Sequence, residues 1–115
     1  MTEALDIIVM SGPYDGESHR LNAPRDPARG YVLGRRPECD LAFAYDDWVS
    51  GQHARLYQDG KSWYVEDLNS TNRTHVGRRR RDGTFAGREL AVGVMPISDG
   101  QLIQLGRLWI RVRFV

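Results

Sequence analysis

Residues 53–68 read HARLYQDGKSWYVEDL, and this stretch is the best guide to the fold class. It contains two short runs of mixed apolar and polar side chains on either side of Asp59-Gly60. An Asp-Gly pair tolerates the positive φ angles that tight hairpin turns require. The pattern therefore predicts two antiparallel strands, one beginning at His53 and the other ending at Leu68.

The end of the chain repeats this pattern. Ser98-Asp99-Gly100 is typical of a turn, and the runs QLIQLG and RLWIRVRFV follow it. In the second run the side chains alternate between two faces, with Leu108, Ile110, Val112 and Phe114 on one and Trp109, Arg111, Arg113 and Val115 on the other. Such a period of two predicts a strand whose apolar face is directed towards a core.

Short apolar runs separated by turn residues also fill the N-terminal part of the chain. The predicted strands there are Leu5–Met10, Tyr31–Leu33 and Asp40–Ala44, and the predicted loops are residues 11–18 and 22–29. Residues 87–95 hint at a helix, but a glycine and two valines disfavour one. Many short strands at turn-punctuated spacing predict an all-β fold, a sandwich or a barrel, whose loops usually carry the binding residues.

The length and composition predict one globular domain. A chain of 115 residues is one domain's worth of sequence, so we expect a single domain over residues 1–115. Its content of 41% apolar and 27% charged residues, with a formal net charge of +1, is typical of globular proteins. No apolar run approaches the roughly 20 residues of a membrane-spanning helix, and the N-terminus lacks the pattern of a secretory signal. The lone Cys39 cannot form an internal disulfide, which favours a cytoplasmic setting.

The common motifs of catalysis are absent from the sequence. It contains no G-x-S-x-G, H-E-x-x-H, P-loop or C-x-x-C pattern. The three histidines, His19, His53 and His75, are too far apart in sequence to suggest a metal site. Ser50 and His53 have the spacing of a nucleophile and a base, but a structural role for His53 in a loop is the simpler interpretation. We therefore expect no catalytic residues, no metal and no cofactor.

Three segments at the ends of predicted strands carry hydrogen-bond donors. Arg35 presents a planar guanidinium, Ser50 and Thr71 present hydroxyl groups, and Gly51 presents an unobstructed backbone N–H. Asn72 adds an amide with both donor and acceptor atoms. Donors that converge from adjacent loops would form an anion site. Because Ser, Thr and Asn also occupy ordinary turns for local reasons, composition alone leaves both interpretations open.

The same segments resemble those of a known family. Gly34-Arg35, Ser50-x-x-His53 and Ser70-Thr71-Asn72, in this order and in a β-rich chain of this length, resemble the forkhead-associated (FHA) domain. The opening stretch IIVMSGPYDGESHRL and the closing stretch ISDGQLIQLGRLWIRVRFV resemble the first and last hairpins of that family. The resemblance implies an FHA-like β-sandwich of about eleven strands that binds phosphothreonine peptides through loops at one end.

Carried over position by position, the resemblance assigns a role to five residues. Arg35 and Ser50 would contact the phosphate directly, and Gly51 would contribute its backbone N–H. Thr71 would help to form the pocket, and Asn72 would hydrogen-bond the peptide backbone beside the phosphothreonine. The physics agrees, because a phosphothreonine carries about −1.5 to −2 charges and a guanidinium can bind two of its oxygens at once.

Two further residues would support the site, and two positions depart from the family's pattern. Gly34 would shape the turn before the arginine, and His53 would hold the loop architecture. Gly51 stands where the family often has a basic or polar side chain, and Arg73 stands where a glycine is usual. If position 73 needs a positive φ, Arg73 is strained; otherwise it adds charge near the ligand.

A basic run, Arg78-Arg79-Arg80-Arg81, lies in a segment longer than the family's usual one and is expected to form an exposed, extended hairpin loop. A solvated loop is the simplest interpretation of such a run. Alternatively the run forms a second contact surface for an acidic or multiply phosphorylated partner. No aromatic residue interleaves with the run before Phe85, which disfavours nucleic-acid binding.

These observations predict a phosphothreonine-dependent interaction module. The expected partner is a phosphothreonine-containing protein in a Ser/Thr kinase pathway, and neither nucleic acid nor a membrane is expected as a partner. The alternative is a phosphate-independent interaction scaffold of the same fold, which would use a sheet face or the arginine hairpin. Trp48, two residues before Ser50, is expected to pack under the binding loop rather than line a peptide groove.

Overall fold

A computed structural model of the chain describes residues 4–22, 26, 28–79, 81–82, 85–89 and 93–115. Within these ranges the backbone forms eleven strands and no helix. The strands are β1 (Leu5–Val9), β2 (Ser18–Leu21), β3 (Tyr31–Gly34), β4 (Leu41–Ala42), β5 (Ala54–Asp59), β6 (Ser62–Asp67), β7 (Thr74–Arg79), β8 (Phe85–Glu89), β9 (Val94–Ile97), β10 (Leu102–Leu105) and β11 (Leu108–Phe114). None of the described segments is a helix long and apolar enough to cross a membrane.

The strands are arranged in two sheets. Six strands in the order β2-β1-β11-β10-β7-β8 form one sheet, and five strands in the order β4-β3-β5-β6-β9 form the other. Neighbouring strands run antiparallel except β3 and β4, which are parallel. The first sheet joins the two ends of the chain, because β1 pairs with β11 from Leu5↔Phe114 to Val9↔Ile110.

The core lies between the sheets and follows the alternation of the strands. Strand β11 buries Leu108, Ile110 and Val112, while Arg111 and Arg113 on its opposite face are exposed. The apolar faces of the other central strands join the same cluster. Burial of apolar surface is the dominant favourable term in folding such a sandwich, and the loops at its ends are left to carry binding residues.

The predicted all-β sandwich of about eleven strands is confirmed, with local differences. In the β5–β6 hairpin the last pair is Asp59↔Ser62, so the turn residues are Gly60 and Lys61, one position later than predicted. Gly60 has a φ of 64°, as expected for a turn with glycine at its first central position. The sequence disfavours a helix over residues 87–95, and among the described residues of this range β8 extends to Glu89 and β9 begins at Val94.

The β7–β8 hairpin is extended and pairs from His75↔Glu89 to Arg79↔Phe85. Arg81 is exposed in the connection between these strands. Arg80 lies outside the described residues, as do the side chains of Arg78 and Arg79. That the arginines of this loop form an exposed contact surface therefore stays a prediction.

Candidate functional site

The topology brings three loops together at one end of the five-stranded sheet. At this end Ala54, the first residue of β5, pairs with Leu33 near the end of β3 and with Asp67 at the end of β6. The segments that leave β3, enter β5 and leave β6 are therefore neighbours. We call the β3–β4, β4–β5 and β6–β7 connections the binding loops.

Hydrogen bonds join the binding loops around one serine. The backbone N–H of Arg35 donates to the carbonyl oxygen of Ser50 at 2.9 Å, and the N–H of Thr71 donates to Ser50 Oγ at 3.0 Å. Asn72 reaches the same loop, since its Nδ2 donates to the carbonyl oxygen of Trp48 at 2.9 Å. The structure thus brings together the four polar residues, Arg35, Ser50, Thr71 and Asn72, that the sequence places on three loops.

Arg35 presents its side chain at the surface. The side chain is 44% exposed, and its Nη1 lies 3.6 Å from Oδ1 of Asp47, whose side chain is 95% exposed. An ion pair this open to water adds little to stability. Among the described residues the guanidinium has no other hydrogen-bond or ion-pair partner. It is therefore accessible to an incoming anion.

Two glycines allow the first two binding loops to approach each other closely. A Cβ on Gly34 would collide with the carbonyl group of Gly51. That carbonyl accepts hydrogen bonds from the N–H of Arg36 at 3.1 Å and from Cys39 Sγ at 3.2 Å. Gly51 in turn leaves room for the Arg36 side chain, whose Nε would lie 2.7 Å from a Cβ at position 51. The missing side chain at position 51 thus gives Arg36 its place beside the site.

His53 connects two binding loops from below the surface. It is fully buried, and burial lowers its pKa, so the imidazole is neutral near pH 7. Its Nδ1 accepts the backbone N–H of Ser50 at 3.0 Å, which leaves Nε2 as the protonated nitrogen that donates to the carbonyl oxygen of Arg73 at 2.8 Å. Because the contact with Ser50 runs through the backbone and not the hydroxyl, the pair is not arranged as a nucleophile and a base.

The β6–β7 loop is held by a hydrogen-bonded carboxylate. Asp67 accepts the N–H of Ser70 at 3.0 Å, the Ser70 hydroxyl, and the Thr74 hydroxyl at 2.7 Å. Burial alone would raise the pKa of Asp67, but these hydrogen bonds outweigh it and hold the pKa below its ordinary value. The loop that carries Thr71 is therefore anchored by a charged acceptor at its base.

Trp48 differs from its prediction. Its side chain is exposed, at 43%, and the guanidinium carbon of Arg107 lies 4.2 Å from its ring centroid. Its backbone carbonyl is held by Asn72 Nδ2. Gly106 approaches the same carbonyl so closely that a Cβ at position 106 would collide with it. The expectation that Trp48 packs under the loop is wrong, because backbone contacts from two loops hold the residue in place while the ring faces a surface cleft.

Three charged residues near the site were not found by sequence reasoning. Arg36 lies against Gly51, Asp47 pairs with Arg35, and Arg107 covers one face of a tryptophan. Arg36 had a usable signal, since it directly follows Arg35 and shares its loop. The other two had none, because their positions depend on which loops approach in three dimensions. Elsewhere among the described residues, no group of three or more His, Cys, Asp or Glu is placed to hold a metal ion.

Comparison with known proteins identifies the family. The model of the FHA domain matches residues 31–106. The FHA domain-containing protein FhaB of Mycobacterium tuberculosis is 36% identical over 107 residues, which cover 93% of this chain and 59% of FhaB. The chain spans about three fifths of the length of the first curated relatives it matches.

Solved structures give the same result. One similar structure is an FHA domain from a structural and functional analysis of phosphothreonine-dependent FHA interactions, with 26% identity, a TM-score of 0.67 and 97% coverage of each chain. Another is the FHA domain of FhaA in complex with the intracellular domain of Rv3910, with 26% identity, a TM-score of 0.66, and coverage of 95% of this chain and 99% of that chain. The family model, the relatives and the sandwich agree, and the chain belongs to the forkhead-associated (FHA) domain family.

Proposed function

We propose that this chain is a phosphothreonine-peptide-binding module that mediates phosphorylation-dependent protein–protein interaction. The observation that carries the proposal is the meeting of the binding loops at Ser50, which receives the N–H groups of Arg35 and Thr71 at 2.9 and 3.0 Å. Support comes from the similar FHA domains, one studied for phosphothreonine-dependent interactions and one solved with a partner's intracellular domain.

The donors of the site suit a phosphate dianion. Ser50 Oγ accepts the N–H of Thr71, so its own hydroxyl hydrogen is left to donate to a phosphate oxygen. The exposed guanidinium of Arg35 supplies a charge-assisted, bidentate contact. Hydrogen bonds to charged groups contribute about 1.5–3 kcal/mol each. Two or three of them contribute roughly 3–9 kcal/mol. Together with the contacts to the peptide backbone, and after the costs of ordering, an affinity in the micromolar range, about −8 kcal/mol, is expected.

In this proposal Thr71 helps to form the phosphate pocket, and Asn72 binds the peptide backbone. Thr71 is exposed next to the serine hydroxyl that its N–H binds. Asn72 uses one Nδ2 hydrogen on Trp48, and among the described residues its Oδ1 has no partner, so this oxygen can accept a peptide N–H. Gly34 and His53 act through the loops and do not touch the ligand.

Arg36 completes the cationic side of the site in this proposal. The family often places a basic or polar side chain at the position of Gly51, and here that space is filled by the Arg36 side chain. No described carboxylate pairs with Arg36. Its charge therefore replaces the contact that residue 51 cannot make.

The proposed partner is a protein phosphorylated on threonine by a Ser/Thr kinase, and the role is binding without catalysis. The cytoplasmic setting and the absence of nucleic-acid and membrane partners belong to the same proposal. A contribution of Arg73 and Arg78–Arg81 to an acidic partner stays a secondary part of it.

Titration calorimetry with a phosphothreonine peptide and its unphosphorylated twin tests the function. We expect micromolar binding of the phosphopeptide only, and at least a tenfold loss of affinity in Arg35→Ala, since removing one charge-assisted contact costs about 1.5–3 kcal/mol. Arg111→Ala is the matched control, because Arg111 is exposed on β11 and donates to the carbonyl oxygen of Gly100 instead. Equal binding of both peptides would instead support a phosphate-independent scaffold.

A further inference from the structure

Asp47 occupies a position that the proposed function leaves unexplained. Its side chain is 95% exposed, and its carboxylate lies 3.6 Å from Nη1 of Arg35. The neighbouring Asp46 serves its own loop, since its Oδ1 accepts the N–H of Trp48 at 2.9 Å. Among the described residues, Asp47 has no partner besides Arg35. No described contact of the fold therefore requires a carboxylate at position 47.

A phosphate that binds Arg35 has to compete with Asp47. Both anions seek the same guanidinium, and like charges at close range repel each other. The dianion of a phosphothreonine has more charge and more acceptor oxygens than a carboxylate, so it prevails. A peptide carboxylate offers no more than the carboxylate already there, which is held beside Arg35 at high effective concentration.

Asp47 would stay beside the phosphate site after displacement, because its backbone lies in the β4–β5 loop next to Arg35. It lines a cleft of about 420 Å³ together with Tyr45, Asp46, Trp48 and Arg107, among others. The charged groups on this wall are the two aspartates and one arginine, and the arginine's guanidinium lies 4.2 Å from the Trp48 ring centroid. Phosphate binding at Arg35 therefore leaves an excess of negative charge on the wall.

We propose that Asp47 is a specificity-determining residue. Phosphate displaces it from Arg35, and the released carboxylate then favours phosphothreonine peptides that carry a basic side chain near the phosphothreonine and disfavours acidic ones. Lys or Arg in the peptide gains a partner, whereas Glu or Asp meets a like charge. This inference rests on the proposed function and adds to it the charge of the preferred peptide.

The test uses three phosphothreonine peptides of equal length whose flanking positions are basic, neutral or acidic, each with an unphosphorylated twin. Calorimetry is done on the unaltered chain, on Asp47→Asn and on Asp59→Asn. Asp59 is an exposed residue at the turn end of the β5–β6 hairpin, away from the binding loops, and its replacement changes the net charge equally. Because the Asp47 side chain is almost fully exposed, its replacement should leave the fold intact, and circular dichroism verifies this.

We expect the unaltered chain to bind the basic peptide roughly five-fold more tightly than the acidic one, the scale of an exposed charge contact. In Asp47→Asn the ratio of the affinities for the basic and acidic peptides should fall to near one. The neutral peptide should bind more tightly, because no carboxylate at position 47 competes for Arg35. Asp59→Asn should change neither the ratio of the two affinities nor the affinity for the neutral peptide.

Three results would overturn the inference. An unchanged basic-to-acidic ratio in Asp47→Asn would show that the residue does not select. Weaker binding of every phosphopeptide by Asp47→Asn would show that it holds Arg35 in place instead. Preference for the acidic peptide would assign selection to Arg107. In all three cases binding remains phosphate-dependent, whereas equal binding of phosphorylated and unphosphorylated peptides would overturn the proposed function together with the inference.

Discussion

Arg73 has an unusual backbone conformation for its residue type. Its φ is 67°, and Asn69 at 58° is the one other non-glycine residue with a positive φ among the described residues. The left-handed region costs an L-residue about 1–2 kcal/mol, although asparagine tolerates it well. The conformation is retained because the carbonyl of Arg73 accepts His53 Nε2 at 2.8 Å and the N–H of Gly106 at 3.3 Å. Position 73 therefore has the positive φ that the sequence analysis left open, and Arg73 is strained there.

We expect Arg73→Gly to be more stable than Arg73→Ala by about 1 kcal/mol. Both variants lose the same side chain and its contacts, but only glycine adopts a φ of 67° without a Cβ clash. Urea unfolding followed by tryptophan fluorescence measures the difference. Equal stability of the two variants would show that the backbone is not strained at this position.

At the scale of single residues, the sequence predicted which side chains the loops bring together but not their immediate neighbours. Arg35 directly follows β3 and Ser50 lies in the loop before β5, and alternation and turn residues in the sequence locate such positions well. The partner of Arg35 could not be predicted, because Asp47 lies twelve positions further along and reaches it only through the path of the β4–β5 loop. Trp48 was mispredicted for the same reason, since contacts from Asn72 and Gly106 keep its ring at the surface.

Among the elements, the β6–β7 loop depends on the carboxylate at its base. Asp67 accepts two hydrogen bonds from Ser70 and one from Thr74, and these fix the loop that carries Thr71 and Asn72. We expect Asp67→Asn to lower the free energy of unfolding by about 1–3 kcal/mol, since a charged acceptor is lost and its donors are left poorly paired. It should also weaken phosphopeptide binding, because the loop must then be ordered on binding.

The control for Asp67→Asn is Asp59→Asn, an exposed residue at the other end of the β5–β6 hairpin. This variant should change stability by less than about 0.5 kcal/mol and leave binding unaltered. Chemical denaturation gives the first quantity, and calorimetry gives the second. If Asp67→Asn unfolded at the same urea concentration as the unaltered chain, the anchoring role of Asp67 would be wrong.

The elements themselves were largely predictable. Strands such as β5, β6 and β11 have one buried and one exposed face, so their alternation is visible in the sequence. The edge strand β9 gave no such signal, because Val94 is exposed and Pro96 stands within the strand. Edge strands tolerate proline, since one of their sides needs no ladder hydrogen bond.

For the whole molecule, two buried polar groups tie distant parts of the chain together. His53 joins two binding loops through Ser50 and Arg73. Asp6 joins three strands of the six-stranded sheet, since its carboxylate accepts Arg20 Nε from β2 at 2.7 Å and Arg113 Nη2 from β11 at 3.1 Å. Both groups have a lowered pKa. The stability of the sandwich should therefore depend on pH in two separate ranges.

We expect stability to be greatest above pH 6.5 and to fall in two steps on acidification. Because burial lowers the pKa of His53 below its ordinary value of 6.5, the unfolded chain takes up that proton first, and stability decreases as the pH falls below 6.5. Hydrogen bonds from Arg20 and Arg113 lower the pKa of Asp6 from 3.8 to about 2, so its contribution is present above pH 3.8 and is lost as the pH falls through 2. Urea midpoints between pH 8 and pH 2 measure both steps.

Asp6→Asn identifies the part of the lower step that Asp6 supplies. That step should shrink without vanishing, because the pKa of Asp67 is also lowered, while the decline below pH 6.5 is retained. Nitrogen chemical shifts of the imidazole assign the upper step without a substitution that endangers folding. In the folded protein at pH 7, the ring of His53 should be neutral with its hydrogen on Nε2, because Nδ1 accepts the N–H of Ser50. A doubly protonated His53 at that pH would contradict the assignment, since Nδ1–H and the N–H of Ser50 would then be two donors facing each other.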